Sequence, residues 1–246
     1  MEILGHRGRP TPATPENTLA SVEAALAGGA DGVEVDVRLT ADGIAVCCHD
    51  ADLVRVAGVA RDVSSLTLAE LTAVRVGGHP VPTVAAVLAA VGARGRVVLD
   101  LKPEPRPERL LTAVRRAVAE AGVRSGEAVD LVLSSFERDI LEVCAAEAPE
   151  VPRAVIIGSD QPCTQLIAQA LARGDEAMHV EARTLFVNPD LVAAAHARGL
   201  LVRAWTVNRL IDVRLLGLLA VDAVISDVPD TVRALAGRPA AMTSAE

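Results

Sequence analysis

Short runs rich in Val, Ile and Leu alternate with longer Ala-, Leu-, Arg- and Glu-containing segments of helical period along the whole chain. That rhythm is the pattern of βα units, whose parallel strands are joined by helical crossovers and covered on both faces. Strands are predicted at 2–4, 33–37, 44–48, 97–101, 129–134, 154–157, 178–181, 201–206 and 223–226. Helices are predicted at 17–27, 83–91, 108–121, 138–148, 163–172, 189–197, 210–219 and 230–236. Asn17 is the expected N-cap of the first helix, and Gly28-Gly29 its expected end.

With 246 residues, the chain has the length of one α/β barrel folded as a single domain. The barrel is placed at 1–236, and 237–246 is expected to be a flexible tail. Nine strands are one too many for eight staves. The surplus is expected at the pair 33–37 and 44–48, which Thr40-Ala41-Asp42-Gly43 joins with no helix between, or else around Met178. Polar punctuation and a short helix around 68–71 mark 50–82 as an elaborated loop after the third strand, not a second domain.

Hydrophobic residues make up 51% of the chain, yet there are only two Phe, one Trp and no Tyr, so the core must be built from Ala, Val and Leu. The net charge is −8 with Lys and Arg scattered, which excludes the electrostatic footprint of a nucleic-acid binder. An anionic ligand would have to be drawn in locally. Cys47, Cys48, Cys144 and Cys163 have neither zinc-site nor disulfide-framework spacing, so free thiols in a reducing compartment are expected. The first strand starts too early to leave room for a signal peptide. The longest apolar runs, such as 215–220, are too short to span a bilayer. A cytoplasmic protein without a transmembrane segment is expected, its oligomeric state left open.

In GVEVDVRL, Glu34 and Asp36 share one strand face while Val33, Val35 and Val37 share the other. In a barrel the apolar face packs on the helices and the two carboxylates point inward, where uncompensated charge costs several kcal/mol per ion, roughly. In IAVCCHD, His49 lies just past a strand end in phase with Cys47 and Ala45. In VVLDLKPE, Asp100 and Lys102 share a face. A lone strand-end His is usually a hydrogen-bonded structural residue, and a lone Asp a helix cap. Together, however, His6, Glu34, Asp36, His49, Asp100 and Lys102 fall at the C-terminal ends of consecutive strands, the catalytic rim of such a barrel. Carboxylate ligands favour a hard cation, Mg²⁺ or Ca²⁺, over zinc. One divalent ion with Arg7 and Lys102 would balance the three carboxylates and one bound phosphodiester.

The ordered set HRG, PENT, GADGVEVDVRLTADGIAVCCHD, LDLK, SSF, RAWTVN and VDAVISDVPD resembles the glycerophosphodiester phosphodiesterases, from Gly5 to about Pro229. The resemblance implies a TIM-like (β/α)8 barrel. It also implies hydrolysis of glycerophosphodiesters, such as deacylated phospholipid head groups of lipid and glycerol metabolism, to an alcohol and glycerol 3-phosphate. It implies His6 and His49 as general acid and base, Glu34 and Asp36 as metal ligands, and Arg7 and Lys102 as phosphate contacts. Trp205 resembles the tryptophan lining the pocket mouth, although a core aromatic is a competing role. Ser134, Ser135 and Phe136 resemble the strand-end SSF, for which a structural role is at least as well supported. Asp100 stands where the family usually has Glu. The missing methylene shortens its reach by about 1.5 Å, and Asp100 is still expected to serve the metal.

Which histidine is acid and which base stays open, as does the nucleophile: water, or the neighbouring glycerol hydroxyl giving a cyclic phosphate. Three alternatives stand beside this reading: a related phosphodiesterase acting on lysophospholipids or other diesters, a Schiff-base lyase using Lys102, and a barrel that binds phosphate esters without turnover. His79 is expected to be a loop residue and His196 a helix-end residue near the C-terminal dipole. An ion pair between Glu181 and Arg203 is suggested by their neighbouring strands. Asp227 is expected at a helix start or on the rim. Gly8 is expected to let the chain turn tightly beside a bound phosphate.

Overall fold

A computed structural model of the protein describes residues 1–125, 129–159, 161 and 163–236. The tail expected at 237–246 lies outside the described residues. In chain order the main sheet comprises β1 (Glu2–His6), β2 (Gly32–Leu39), β3 (Ala45–Cys47), β4 (Arg96–Leu101), β5 (Leu131–Ser135), β6 (Arg153–Ile157), β7 (Ala177–Glu181), β8 (Leu201–Trp205) and β9 (Ala223–Ser226). Among the described residues, all but β3 pair in parallel, and β1 pairs with both β9 and β2, which closes an eight-stranded TIM barrel.

The surplus strand is β3, which runs antiparallel to β2 with Val37 opposite Cys47. Its short connection decides this, since a parallel neighbour needs a crossover of a dozen residues or more. The segment at Met178 is a true stave: β7 pairs in parallel with β6 and β8.

The two faces of the barrel wall follow the period-two pattern. Val33, Val35 and Val37 are fully buried in the layer between sheet and helices, beside Val84 and Leu88 of the helix Val84–Val91. Each such side chain contributes roughly 1.5–3 kcal/mol relative to exposure. The lumen is filled by Leu4, Val98, Val132, Ala154, Ala177 and Ile225, small enough to let polar residues occupy the upper end.

β3 serves two cores by the same alternation. Ala45 and Cys47 join the outer layer of the barrel. Val46 and Cys48 join a satellite core with Leu53, Val63, Leu66, Leu71, Val76 and Val81. The segment 50–82 therefore folds on the barrel as an insertion, with one-turn helices at Val54–Ala57 and Leu68–Leu71 and two small hairpins.

Two local expectations are corrected. The first helix is Leu19–Ala27, and its N-cap is Thr18, not Asn17. Thr18 and Ser21 form a reciprocal capping box that leaves the Asn17 amide for another task. Gly28 caps the other end as expected. A helix at Ala182–Val187 went unpredicted, because it starts directly from β7 with no side-chain cap to announce it. The other predicted helices are present with shifted ends.

Candidate active site

The rim begins where β1 ends. After His6 the chain turns through two left-handed residues, Arg7 at φ 54° and Gly8 at φ 84°. A Cβ on Gly8 would fall 2.5 Å from the Ser21 backbone. The glycine is thus required by the close approach of the first helix, a reason distinct from the expected contact with phosphate. The turn sends the Arg7 amide to Glu34 Oε2 at 3.0 Å, and its guanidinium reaches Glu16 Oε1 at 2.9 Å and Asp36 Oδ2 at 3.1 Å.

Parallel register sets Asp36 of β2 beside Asp100 of β4. Glu34, Asp36 and Asp100 each offer an oxygen within 4.8 Å of the others, and all three residues are buried. Lys102 Nζ lies 2.7 Å from Asp36 Oδ1 and 2.6 Å from Asp100 Oδ2. Asn17 completes the surroundings of Asp36: its Nδ2 donates to Oδ2 at 2.7 Å, and its Oδ1 accepts from the Asp36 amide at 3.0 Å.

These contacts separate the three carboxylates electrostatically. Burial, reinforced by the nearby Asp36 charge, pushes Glu34 up to about 7. Burial alone would also raise Asp36, but Lys102 and Arg7 outweigh it and hold that carboxyl below its ordinary value. Asp100 is raised, because burial outweighs the attraction of Lys102. Lys102 itself is raised, its desolvation overcome by Asp36 and Asp100.

The oxygen set fits a divalent cation. Asp100 Oδ1 is buried and has no hydrogen-bond partner among the described residues, an arrangement that costs about 1–3 kcal/mol unless something else meets it. Three convergent carboxylate oxygens and no sulfur or imidazole donor among them are the ligand chemistry of a hard ion.

His6 and His49 line the same cavity as the acidic cluster. His6 Nδ1 lies 2.7 Å from Asp227 Oδ1, and its Nε2 lies 3.9 Å from Glu34 Oε2. Burial lowers the His6 pKa, but Asp227 and Glu34 outweigh it and the net displacement is upward. Asp227 is in turn held by Asn208, whose Nδ2 donates to Asp227 Oδ2 at 2.6 Å. His49 pairs through Nδ1 with Asp50 Oδ1 at 2.7 Å. Because a carboxylate only accepts, the Nδ1 of each ring carries the proton and Nε2 is left for other partners.

The cavity has an empty volume of about 580 Å³. Its charged wall comes from β1, β2, β4 and the turn at His49. Its apolar lining is Phe136, Ile156, Trp205 and Ile225. Trp205 meets Phe136 edge to face with ring centroids 5.7 Å apart, and its Nε1 donates to the His179 carbonyl at 3.0 Å. Ser134 also reaches the cavity, while Ser135 Oγ donates to the Leu101 carbonyl at 2.6 Å.

Arg203 donates to Glu176 Oε1 at 2.7 Å and also contacts the ring of His179, so the suggested pair with Glu181 is replaced by one with Glu176. His79, expected in a loop, lies instead in a two-residue strand opposite Val76 and holds the Ala13 carbonyl at 3.1 Å, while His196 closes its helix beside Asp222 at 2.9 Å. Sequence reasoning missed Glu16, Asn17, Asp50 and Asp227 as partners of the charged residues. PENT, HD and VISDVPD carried them, but without contacts to read.

A family model described as the glycerophosphoryl diester phosphodiesterase family matches residues 6–231. A glycerophosphodiester phosphodiesterase of Caldanaerobacter subterraneus is 28% identical over 94% of this chain and 95% of its own. An uncharacterized protein of Bacillus subtilis is 31% identical over 95% and 98%. Among solved structures, an Oleispira antarctica phosphodiesterase in complex with the product sn-glycerol-3-phosphate superposes with a TM-score of 0.87 at 26% identity, covering 97% of each chain. A protein from Silicibacter pomeroyi described as a putative glycerophosphoryl diester phosphodiesterase gives 0.84 at 28% identity, covering 96% and 93%. The match begins at His6, runs through the acidic cluster and ends just beyond Asp227, so it spans every charged element of the rim, and the chain belongs to the glycerophosphodiester phosphodiesterase family.

Proposed function

We propose that the protein is a phosphoric diester hydrolase that cleaves glycerophosphodiesters to an alcohol and glycerol 3-phosphate with the help of one divalent cation, Mg²⁺ or Ca²⁺. The observation that carries this reading is the convergence of His6, His49, Arg7, Lys102 and the three carboxylates on one cavity. Glu34, Asp36 and Asp100 are the cation's ligands in this reading. When bound, the ion supplies positive charge to the phosphoryl oxygens.

The chain's own residues divide the remaining work. Lys102 spends two of its three protons on Asp36 and Asp100, leaving one donor for a phosphoryl oxygen. Arg7, fixed by Glu16 and Asp36, presents the rest of its guanidinium beside it. His6 and His49 move the protons, one taking a proton from the attacking oxygen and the other giving one to the leaving alkoxide. A positioned acid or base typically contributes about 10²- to 10⁴-fold. Asp227 and Asp50 hold the Nδ1 side of each ring, so the transfer runs at Nε2.

The apolar wall of Phe136, Ile156, Trp205 and Ile225 supports a second reading, a lysophospholipid or another diester with a greasy substituent. A Schiff-base role for Lys102 is disfavoured, since such a lysine needs a lowered pKa and this one is raised. Four unpaired cysteines support a reducing, cytoplasmic setting; among the described residues no helix is long and apolar enough to cross a membrane.

A panel of glycerophosphodiesters and lysophospholipids, assayed for glycerol 3-phosphate with Mg²⁺, Ca²⁺ and Mn²⁺ in turn, tests the proposal. Cation-dependent release from the soluble diesters is the expected result. Turnover of lysophospholipids alone would favour the second reading, and full activity in excess EDTA would rule out the metal-assisted chemistry.

A further inference from the structure

Arg55 lies in the insertion, on the single turn Val54–Ala57, and is absent from the cavity wall. Its guanidinium nevertheless joins two loops that carry functional side chains. Nη1 and Nη2 donate to the two oxygens of Glu16, each at 2.7 Å, and Nε donates to Asp50 Oδ2 at 2.5 Å. Glu16 Oε1 also accepts from Arg7 at 2.9 Å, and Asp50 Oδ1 pairs with His49 Nδ1 at 2.7 Å. A continuous chain of charge-assisted bonds therefore runs from Arg7 through Glu16, Arg55 and Asp50 to His49.

We propose that Arg55 is a positioning residue of the active site, locking Glu16 and Asp50 into one unit and thereby fixing both the Arg7 side chain and the Nδ1–H tautomer of His49. The insertion is then part of the catalytic apparatus, because it supplies the keystone between the β1 loop and the turn after β3. A planar fork matching a carboxylate on one side and a third donor on the other is a task only a guanidinium fulfils. Arg55 is half exposed, and exposed ion pairs contribute little to global stability. Its removal is thus expected to loosen the site and spare the fold.

The inference rests on the hydrolytic reading for its kinetic arm and is independent of it in a second, spectroscopic arm. Arg55→Ala, Arg55→Lys, Asp50→Asn and the double variant Arg55→Ala/Asp50→Asn are compared with the wild type, with circular dichroism to establish folding. For Arg55→Ala we expect kcat to fall on the order of 10- to 100-fold, as for a misplaced reacting group, with KM changed far less. Arg55→Lys loses nearly as much and guards against a misfolded alanine variant. The double variant loses no more than the worse single one, and added ethylguanidinium restores activity to Arg55→Ala but not to Asp50→Asn.

In the second arm, ¹⁵N-histidine NMR of the substrate-free protein shows His49 held as the Nδ1–H tautomer in the wild type and as a mixture in Arg55→Ala. Wild-type kcat in folded Arg55→Ala, multiplicative losses in the double variant, or an unchanged His49 tautomer would each overturn the proposal. A wild type that hydrolyses no glycerophosphodiester would remove the hydrolytic reading, and the tautomer measurement would still decide whether Arg55 orders the ring.

Discussion

His6 is gripped on one side by Asp227, at 2.7 Å from Nδ1, and faces the Glu34 carboxylate at 3.9 Å on the other. Asp227 therefore sets both the tautomer and the orientation of the ring, a role that its place in VISDVPD did not disclose. Asp227→Asn keeps the shape and removes the charge. We expect a folded protein whose kcat falls by about 10²-fold or more, toward the full contribution of a positioned acid or base, measured at saturating substrate and cation. Glu34 gives a pH prediction. Its folded pKa, about 7 against an ordinary 4.5, favours the neutral form in the ion-free protein. Its contribution to stability is therefore complete below about 4.5 and is lost as pH rises toward about 7. A cation must displace that proton, so its affinity rises with pH across the same window and levels off above it. Calorimetry in buffers of different ionisation enthalpy near pH 6 should detect proton release on cation binding, and near pH 8 should detect almost none; equal release at both would contradict the assignment.

At the scale of elements, the turn after β1 is the most constrained piece of backbone. Gly8→Ala forces a left-handed residue and a Cβ 2.5 Å from Ser21, and the expected destabilisation is about 1–3 kcal/mol or more, read from denaturant unfolding. Alternating sequence made β2 legible: Val33, Val35 and Val37 against Glu34 and Asp36 assign a greasy and an acidic face without any coordinates. The same logic placed Asp100 and Lys102 on the rim. β3 was legible as a strand, and its antiparallel direction follows from the short connection to β2, a length the sequence itself carries. Asn17 was misread because a side-chain amide before a helix is equally suited to cap it; the Thr18–Ser21 capping box frees Asn17 to brace Asp36. Contacts between segments far apart in sequence, such as His6 with Asp227 and Glu16 with Arg55, leave no local periodicity and were invisible.

For the whole molecule, closure of β1 against both β9 and β2 sets the first and last strands of the sheet side by side at the site. Glu34 of β2 and Asp227, just past β9, thereby flank one imidazole, that of His6 at the end of β1. The protein carries a net charge of −8, so in the proposed function Arg7 and Lys102 would draw an anionic diester locally, into a cavity whose own carboxylates repel it. A bound cation reverses that local sign. Asp100→Ala, which removes the oxygen with no partner among the described residues, should weaken cation binding by more than the about 10- to 100-fold typical of outer ligand partners, as measured by titration calorimetry with Mg²⁺ and Ca²⁺. The proposed hydrolysis is read most directly by ³¹P NMR of sn-glycero-3-phosphocholine incubated with the wild type, His6→Ala and His49→Ala, each with a divalent cation and with EDTA. Rapid release of glycerol 3-phosphate is expected from the wild type with cation, with losses of about 10²-fold or more in each folded histidine variant; undiminished product from either variant, or from the wild type in excess EDTA, would overturn the cation-assisted His6/His49 mechanism.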